Sequence, residues 1–467
     1  MDYQMLINGK LVSSDIMIDV INPATEETFA RVPHATLDQM NAAVAAAKQA
    51  QKLWAKTTMA ERRAKLEELA TAIGEDAEAF ARLITQEQGK PLPEASGEVE
   101  WSQGYLGHTA TLELPDRVIQ DDDDFQIETR HKPLGVVAGI IAWNFPLLLC
   151  CWKIGPALMA GNSIVLKPAP TTPLSALKLG ELCARIFPEG LVNVITDDND
   201  LGPKLTAHPD VAKIGFTGSS ATGKRIMASA AETMKRITLE MGGNDPAIVL
   251  PDVDVKEAAQ KIYGGAFLNA GQVCLAVKRA YVHEDIYDDM CDELASLAAQ
   301  AVVDDGMKQG TTIGPIQNRD QYEKVKSYLG DARETGQIIA GGVAREGKGY
   351  FIEPTIVRDV TDGQKIVDEE QFGPILPVIS FRDTDDVISR ANRSDYGLGA
   401  SVHSADVGKA TEIAGQIESG SVWVNQQLNI GPHIPMAGFK GSGLGVEQSV
   451  EGLAEYTQMQ VINVARN

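Results

Sequence analysis

Between Gly135 and Met241, short apolar runs recur with polar, helix-patterned stretches between them. The runs are GVVAGII (135–141), SIVLK (163–167), LVNVI (191–195), KIGFTG (213–218) and RITLEM (236–241). Continuous hydrophobic runs alternating with helices predict a parallel, doubly wound sheet, because strands covered on both faces lose the in-out alternation of half-exposed ones. Ahead of them, MLINGKLV sets Asn8-Gly9 between two apolar segments, the signature of a two-residue hairpin. Helices are expected from a cap at Thr36 through Asp38, Val44 and Leu53, and from Thr58 through Leu66, Leu69 and Ile73. Another is expected from near Glu75 to Gly89, with Pro91 just beyond its end.

A second alternating series covers roughly 246 to 425: PAIVL (246–250), QIIAGG (337–342), ILPVISF (375–381), LGASVHS (398–404) and SGSVWVN (419–425). It predicts a second α/β unit. The segment RVIQDDDDFQIETRHKP (117–133) reads instead as a polar strand pair whose exposed edges suit pairing between subunits.

Composition narrows the functional classes. The 467 residues, 44% hydrophobic and 23% charged, describe an ordinary globular chain. A net charge of -22 would repel both nucleic acid and anionic membrane, so neither is an expected partner. MDYQMLINGK lacks a signal-peptide pattern, and the most apolar stretch, 135–151, is too short to span a bilayer. Five cysteines are an odd number and no disulfide framework, which points to a reducing, cytoplasmic setting. Neither CxxC nor HExxH occurs, so no metal site is expected.

Parallel sheets bind ligands beyond the carboxyl ends of their strands, so the residues just after each run are the first candidates for chemistry. Gly218-Ser219-Ser220-Ala221-Thr222-Gly223-Lys224 comes directly after a strand and opens a helix, a context that suits a pyrophosphate. It also matches GxxxxGK, the loop of nucleotide hydrolases, but Arg225 stands where a magnesium-binding hydroxyl belongs. A structural glycine turn is a third reading. Cys274, in NAGQVCL, is either a buried small hydrophobe or a nucleophile with room around it. Cys150 and Cys151, Cys183, and Cys291 among acidic residues offer less. Glu240, at a strand end before Met241-Gly242-Gly243, is a surface carboxylate or a general base. Asn144, in WNFP, is a turn residue or a donor to an oxyanion.

Taken together, AWNFPLLL, LKPAPTTP, FTGS, LEMGG, NAGQVC, EEQFGP and the closing MAGFKGSGLGVE, in this order, resemble the aldehyde dehydrogenase superfamily over essentially the whole chain. The resemblance implies a Rossmann-like dinucleotide-binding domain (1–116 and 134–243), an α/β catalytic domain (244–441), and an oligomerisation arm with a C-terminal segment (117–133 and 442–467). It implies a thioester route in which Cys274 attacks, Asn144 and the Cys274 N–H hold the oxyanion, and Glu240 activates water. Glu240 separates the chain from the coenzyme-A-acylating branch, where similar proteins lack it. Cofactor contacts implied are Trp143, Lys167, Pro170, Gly218, Ser219, Gly242, Glu370 and Phe372. Substrate contacts implied are Phe145, Leu149, Trp152, Val273, Leu275, Gln427, Ile430 and Met436, in a lining that extends past His433 and faces the helix 98–111. Lys153 and Glu447 match a proton exit. A homodimer or homotetramer is implied. The competing readings are a nucleotide hydrolase using 218–224 and a catalytically silent relative.

One departure concerns the cofactor. Similar NAD-specific proteins carry Glu three residues after the lysine, to accept ribose hydroxyls; here Pro170 cannot, which opens the site to NADP. Against that, Asp197, Asp198 and Asp200 would repel a 2′-phosphate, so NAD is expected. The implied lining carries no arginine, the usual partner of a substrate carboxylate, so neutral aliphatic or aromatic aldehydes are expected over succinate semialdehyde.

Overall fold

The computed structural model describes residues 3–466. All five apolar runs of the first series are strands of one sheet, in the spatial order Val192–Val194, Ser163–Lys167, Val136–Ile140, Val211–Thr217, Arg236–Glu240, every neighbouring pair parallel. The chain winds outward from Val136–Ile140 in one direction, then crosses back to place Val211–Thr217 on its other side. Their carboxyl ends therefore open a crevice at the point where the winding reverses. Trp143-Asn144 and Gly218-Ser219 leave from the two sides of that crevice. The predicted hairpin, Met5–Ile7 with Lys10–Val12, extends one edge of this sheet, with Asn8 and Gly9 at φ 52° and 73° as its turn requires.

The second sheet runs Gln337–Ala340, Thr355–Arg358, Ile375–Phe381, Val277–His283, Asp245–Val249, Gly399–His403, Ser421–Val424. Its central strand, Val277–His283, was not expected from the apolar pattern, because Lys278 and Arg279 interrupt it. Both are buried, Arg279 against the carbonyls of Asn244 and Ala391, and Lys278 against those of Val273, Cys274 and Ala276. QIIAGG is an antiparallel edge strand that stops at Ala340, where Gly341 and Gly342 turn away at positive φ.

The polar pair forms as Arg117–Asp121 and Phe125–Pro133, and Thr457–Ala465 adds to it in a nine-residue antiparallel register. The C-terminal stretch 442–467 is not one unit, however. Gly443–Leu444 closes the far edge of the first sheet against Leu239 and Glu240, and only the last strand joins the arm. Among the described residues no helix is long and apolar enough to cross a membrane.

Candidate active site

Asn144 lies between strand Val136–Ile140 and helix Pro146–Met159 and is held from several sides. Its carbonyl accepts from Lys90 Nζ (2.9 Å) and Asn269 Nδ2 (3.0 Å), while its own Nδ2 donates to the Gln272 carbonyl (3.0 Å). Lys90 is paired with Glu98 at 2.6 Å, both fully buried. The other Glu98 oxygen accepts from the Leu147 and Leu148 amides, satisfying donors that a helix start leaves open. One ion pair thus caps the helix and fixes Asn144, two residues ahead of it.

Cys274 sits just past an unusual turn. Asn269, Ala270 and Gly271 are consecutively left-handed (φ 51°, 54° and 73°), a conformation that costs on the order of 1–3 kcal/mol for each residue bearing a side chain. Glu94 stabilises it by accepting from the Asn269 amide, and Gln272 by bonding the Asn269 carbonyl and the Gln317 amide. Gly271 must be glycine, since a Cβ there would lie 2.3 Å from the Gly373 carbonyl. The turn presents Cys274 half-buried, whereas the other four cysteines are buried. Burial pushes the Cys274 thiol up to about 12, opposed by Lys278 and reinforced by Glu240, Asp245 and Glu370. Cys291 is also pushed up to about 12, but chiefly by burial rather than by the acidic neighbours its sequence suggested.

Glu240 ends strand Arg236–Glu240, aligned with Thr217 on one side and Gly443 on the other. Neither carboxylate oxygen has a hydrogen-bond partner among the described residues. Burial and the Glu447 charge raise its pKa well above the ordinary carboxylate range, with Lys153 pulling the other way. Lys153 and Glu447 form a fully buried ion pair.

A cavity of about 210 Å³ takes in all three: Asn144, Cys274 and Glu240 line it together. So do Trp143, Gly218, Ser219, Gly242, Glu370 and Phe372, and with them Phe145, Leu149, Trp152, Val273, Leu275, Ile430 and Met436. Gln427 does not; its amide donates to the Leu275 carbonyl and its stem packs on Gly265, so it braces the wall from behind. Trp101 and Leu428, within segments the sequence placed at this wall, line it too. Gln321 and Lys324 were missed: they stand on helix Arg319–Thr335, where polar residues read as solvated face. Lys153, Glu447, Lys167 and Pro170 lie outside the cavity lining.

The polar side suits a dinucleotide. Ser219 caps helix Ser220–Ala231 by accepting from the Thr222 amide, and Gly218 and Ser219 line the cavity at that helix start, a context that suits an anion. Lys224 and Arg225 are exposed and off the cavity, which leaves the nucleotide-hydrolase reading without its phosphate lysine. Glu370 accepts from the Gly243 amide at 3.0 Å; its other oxygen occupies space that a Cβ on Gly242 would fill, 2.2 Å away. Phe372 meets Trp143 edge-on at 5.3 Å. Further out, the carboxylates expected to repel a 2′-phosphate are not all free: Asp197 is buried and paired with Lys167 at 2.5 Å, and Asp200 contacts His34 Nε2 at 3.0 Å.

The sequence model described as "Aldehyde dehydrogenase family" matches residues 11–462. Phenylacetaldehyde dehydrogenase of Pseudomonas fluorescens is 39% identical, the match covering 99% of this chain and 96% of that protein. The NAD+ complex of aldehyde dehydrogenase from Bacillus cereus superposes with a TM-score of 0.98 at 38% identity, covering 100% of this chain and 97% of that one. A structure described as an E. coli NADP dependent enzyme superposes at 0.97 with 36% identity, covering 99% and 98%.

Proposed function

The chain belongs to the aldehyde dehydrogenase family, and from that premise we propose that it oxidises an aldehyde to the free carboxylic acid through a thioester on Cys274. The observation that carries this is the convergence of Cys274, Asn144 and Glu240, from three separate stretches of chain, on one cavity. Cys274 loses its thiol proton to solvent, and the thiolate Sγ bonds to the carbonyl carbon as the C=O π pair moves onto oxygen. The Asn144 Nδ2 and the Cys274 N–H hold the resulting oxyanion, each donor contributing about 3–4 kcal/mol in such settings. The dinucleotide, when bound, supplies the hydride acceptor. Glu240 then takes a proton from water; the water oxygen bonds to the thioester carbon, the C–S bond breaks, and the Cys274 thiolate and the carboxylic acid are released. Lys153 and Glu447 carry the proton away from Glu240. The Glu240 carboxylate favours water over a thiol acceptor in that second step.

Gly218, Ser219, Glu370, Phe372, Gln321 and Lys324 would hold the phosphate and nicotinamide portions, with Lys167 and Pro170 toward the adenosine ribose. We assign NAD rather than NADP. Lys167 is already committed to Asp197, so it has no free charge for a 2′-phosphate, and Pro170 offers none. The first unit, 1–116 with 134–243, would bind the cofactor, and 244–441 would supply the nucleophile.

The apolar wall sets the substrate class. Among the described residues no arginine lines the cavity, and its one cation, Lys324, lies with Glu370 on the cofactor side. Neutral aliphatic and aromatic aldehydes should therefore exceed succinate semialdehyde by about tenfold or more in kcat/KM, and NAD should exceed NADP. Initial rates of dinucleotide reduction over an aldehyde panel with each cofactor test both; a best rate with the semialdehyde, or with NADP, overturns the corresponding assignment.

The arm exposes Val118, Ile119, Phe125, Met459, Val461 and Val464. Such an apolar surface suits contact with a second copy. Light scattering should return a dimer or tetramer, and deletion of 456–467 should lower that mass. Five unpaired cysteines suit a reducing compartment, and we place the protein in the cytoplasm.

A further inference from the structure

Lys278 is the cation closest in influence to Cys274, and nothing in the scheme above uses it. It stands at the head of the central strand of the second sheet, 2% exposed. Its Nζ donates to the carbonyls of Cys274 (2.8 Å), Val273 (2.9 Å) and Ala276 (3.3 Å). These three carbonyls belong to the segment Val273–Ala276, which carries the nucleophile. A trans peptide holds its C=O and N–H antiparallel. Drawing the Val273 carbonyl toward Lys278 therefore points the N–H of the same peptide, that of Cys274, the opposite way.

We infer that Lys278 is a positioning residue for the reaction: it clamps the nucleophile turn, aims the Cys274 N–H as an oxyanion donor, and sets a buried positive charge beside the sulfur. This rests on the assignment of Cys274 as nucleophile. Three carboxylates bear on Cys274. Glu370 approaches Lys278 Nζ at 3.8 Å from the loop after residue 368. Asp245 stands on the adjacent parallel strand, beside Val277, and its carboxylate is buried. Glu240, at the end of a strand of the first sheet, lines the same cavity as Cys274. Lys324 is the other cation near this cavity, so loss of Lys278 leaves the sulfur with acids in clear excess. The balance of shifts agrees: Lys278 is the one group drawing the thiol downward, while Glu240, Asp245 and Glu370 all push it up. The same ammonium is the main influence restraining Asp245, which burial pushes up to about 7.

Iodoacetamide alkylation of Cys274 in the full-length protein, followed by mass spectrometry of its peptide across a pH series, tests the charge without aldehyde or cofactor. In Lys278→Met the line of log rate against pH should move upward by about one pH unit, a tenfold slower reaction at a given pH, as expected for removing an opposite charge at close range. Lys278→Gln keeps donors for the carbonyls without the charge, and should show the same displacement even if the methionine variant does not fold. Lys278→Arg should restore much of the wild-type profile. A purely structural lysine would lower the melting temperature of these variants and leave the alkylation profile where it was; that result in a folded variant overturns the inference. Displaced alkylation in a protein whose wild type turns over no aldehyde would instead uphold Lys278 and sink the proposed activity.

Discussion

Cys274→Ala protein is expected to show no aldehyde-dependent reduction of the dinucleotide, a fall of at least about four orders of magnitude, with no single-turnover burst. Cys274 carries the only thiol among the residues lining the cavity, so its loss removes the covalent route rather than slowing it. Stability should hardly change. Removing one sulfur atom from a half-buried position costs under about 1 kcal/mol, and the turn before it is fixed by Glu94, Gln272 and Gly271, none of which bonds to the sulfur. Dinucleotide binding should persist too, because Ser219, Glu370 and Lys324 are untouched. Activity, a melting curve and a cofactor titration on the same preparation separate these effects. Residual turnover by the alanine variant would mean that the nucleophile is elsewhere.

Much of this site was legible in the residues, but unevenly. The five runs of the first sheet could be read because burial on both faces leaves an unbroken apolar string. Their spatial order could not, and that order makes the site: the reversal beside Val136–Ile140 is what brings Asn144 next to Gly218 and Ser219. Asn144, Cys274 and Glu240 each carry a mundane alternative as turn residue, buried hydrophobe and strand exit. Only the family resemblance joined them before the fold did. Lys278 and Arg279 hid a central strand, because charge reads as surface unless one knows which carbonyls surround it. Glu87, Glu94 and Glu98 hid in the same way. On helices they look like solvated face, yet each is spent on backbone amides: of Leu174 and Ser175, of Asn269, and of Leu147 and Leu148. The error over Asp197 has a similar origin. Counting carboxylates by position overstated the charge, because Lys167 lies 30 residues away in sequence and 2.5 Å away in space.

The second large effect concerns the step after oxidation. Glu240→Gln is expected to give a burst of about one reduced dinucleotide per active site, then turnover slowed on the order of 10²–10⁴-fold, the range for loss of a general base. Glutamine is a fair probe here. Neither Glu240 oxygen has a partner among the described residues, so the amide breaks no hydrogen bond seen in the fold, and the loss is chemical. The pH dependence comes from the raised pKa. A carboxyl held neutral above the ordinary carboxylate range serves as a base only once ionised, so wild-type deacylation should climb as pH rises through that displaced midpoint. The burst should not track the same curve, and the glutamine variant should lose the climb. Stopped-flow measurement of reduced dinucleotide across pH resolves both phases. If the variant lost its burst along with its turnover, Glu240 would be acting on the sulfur, not on water.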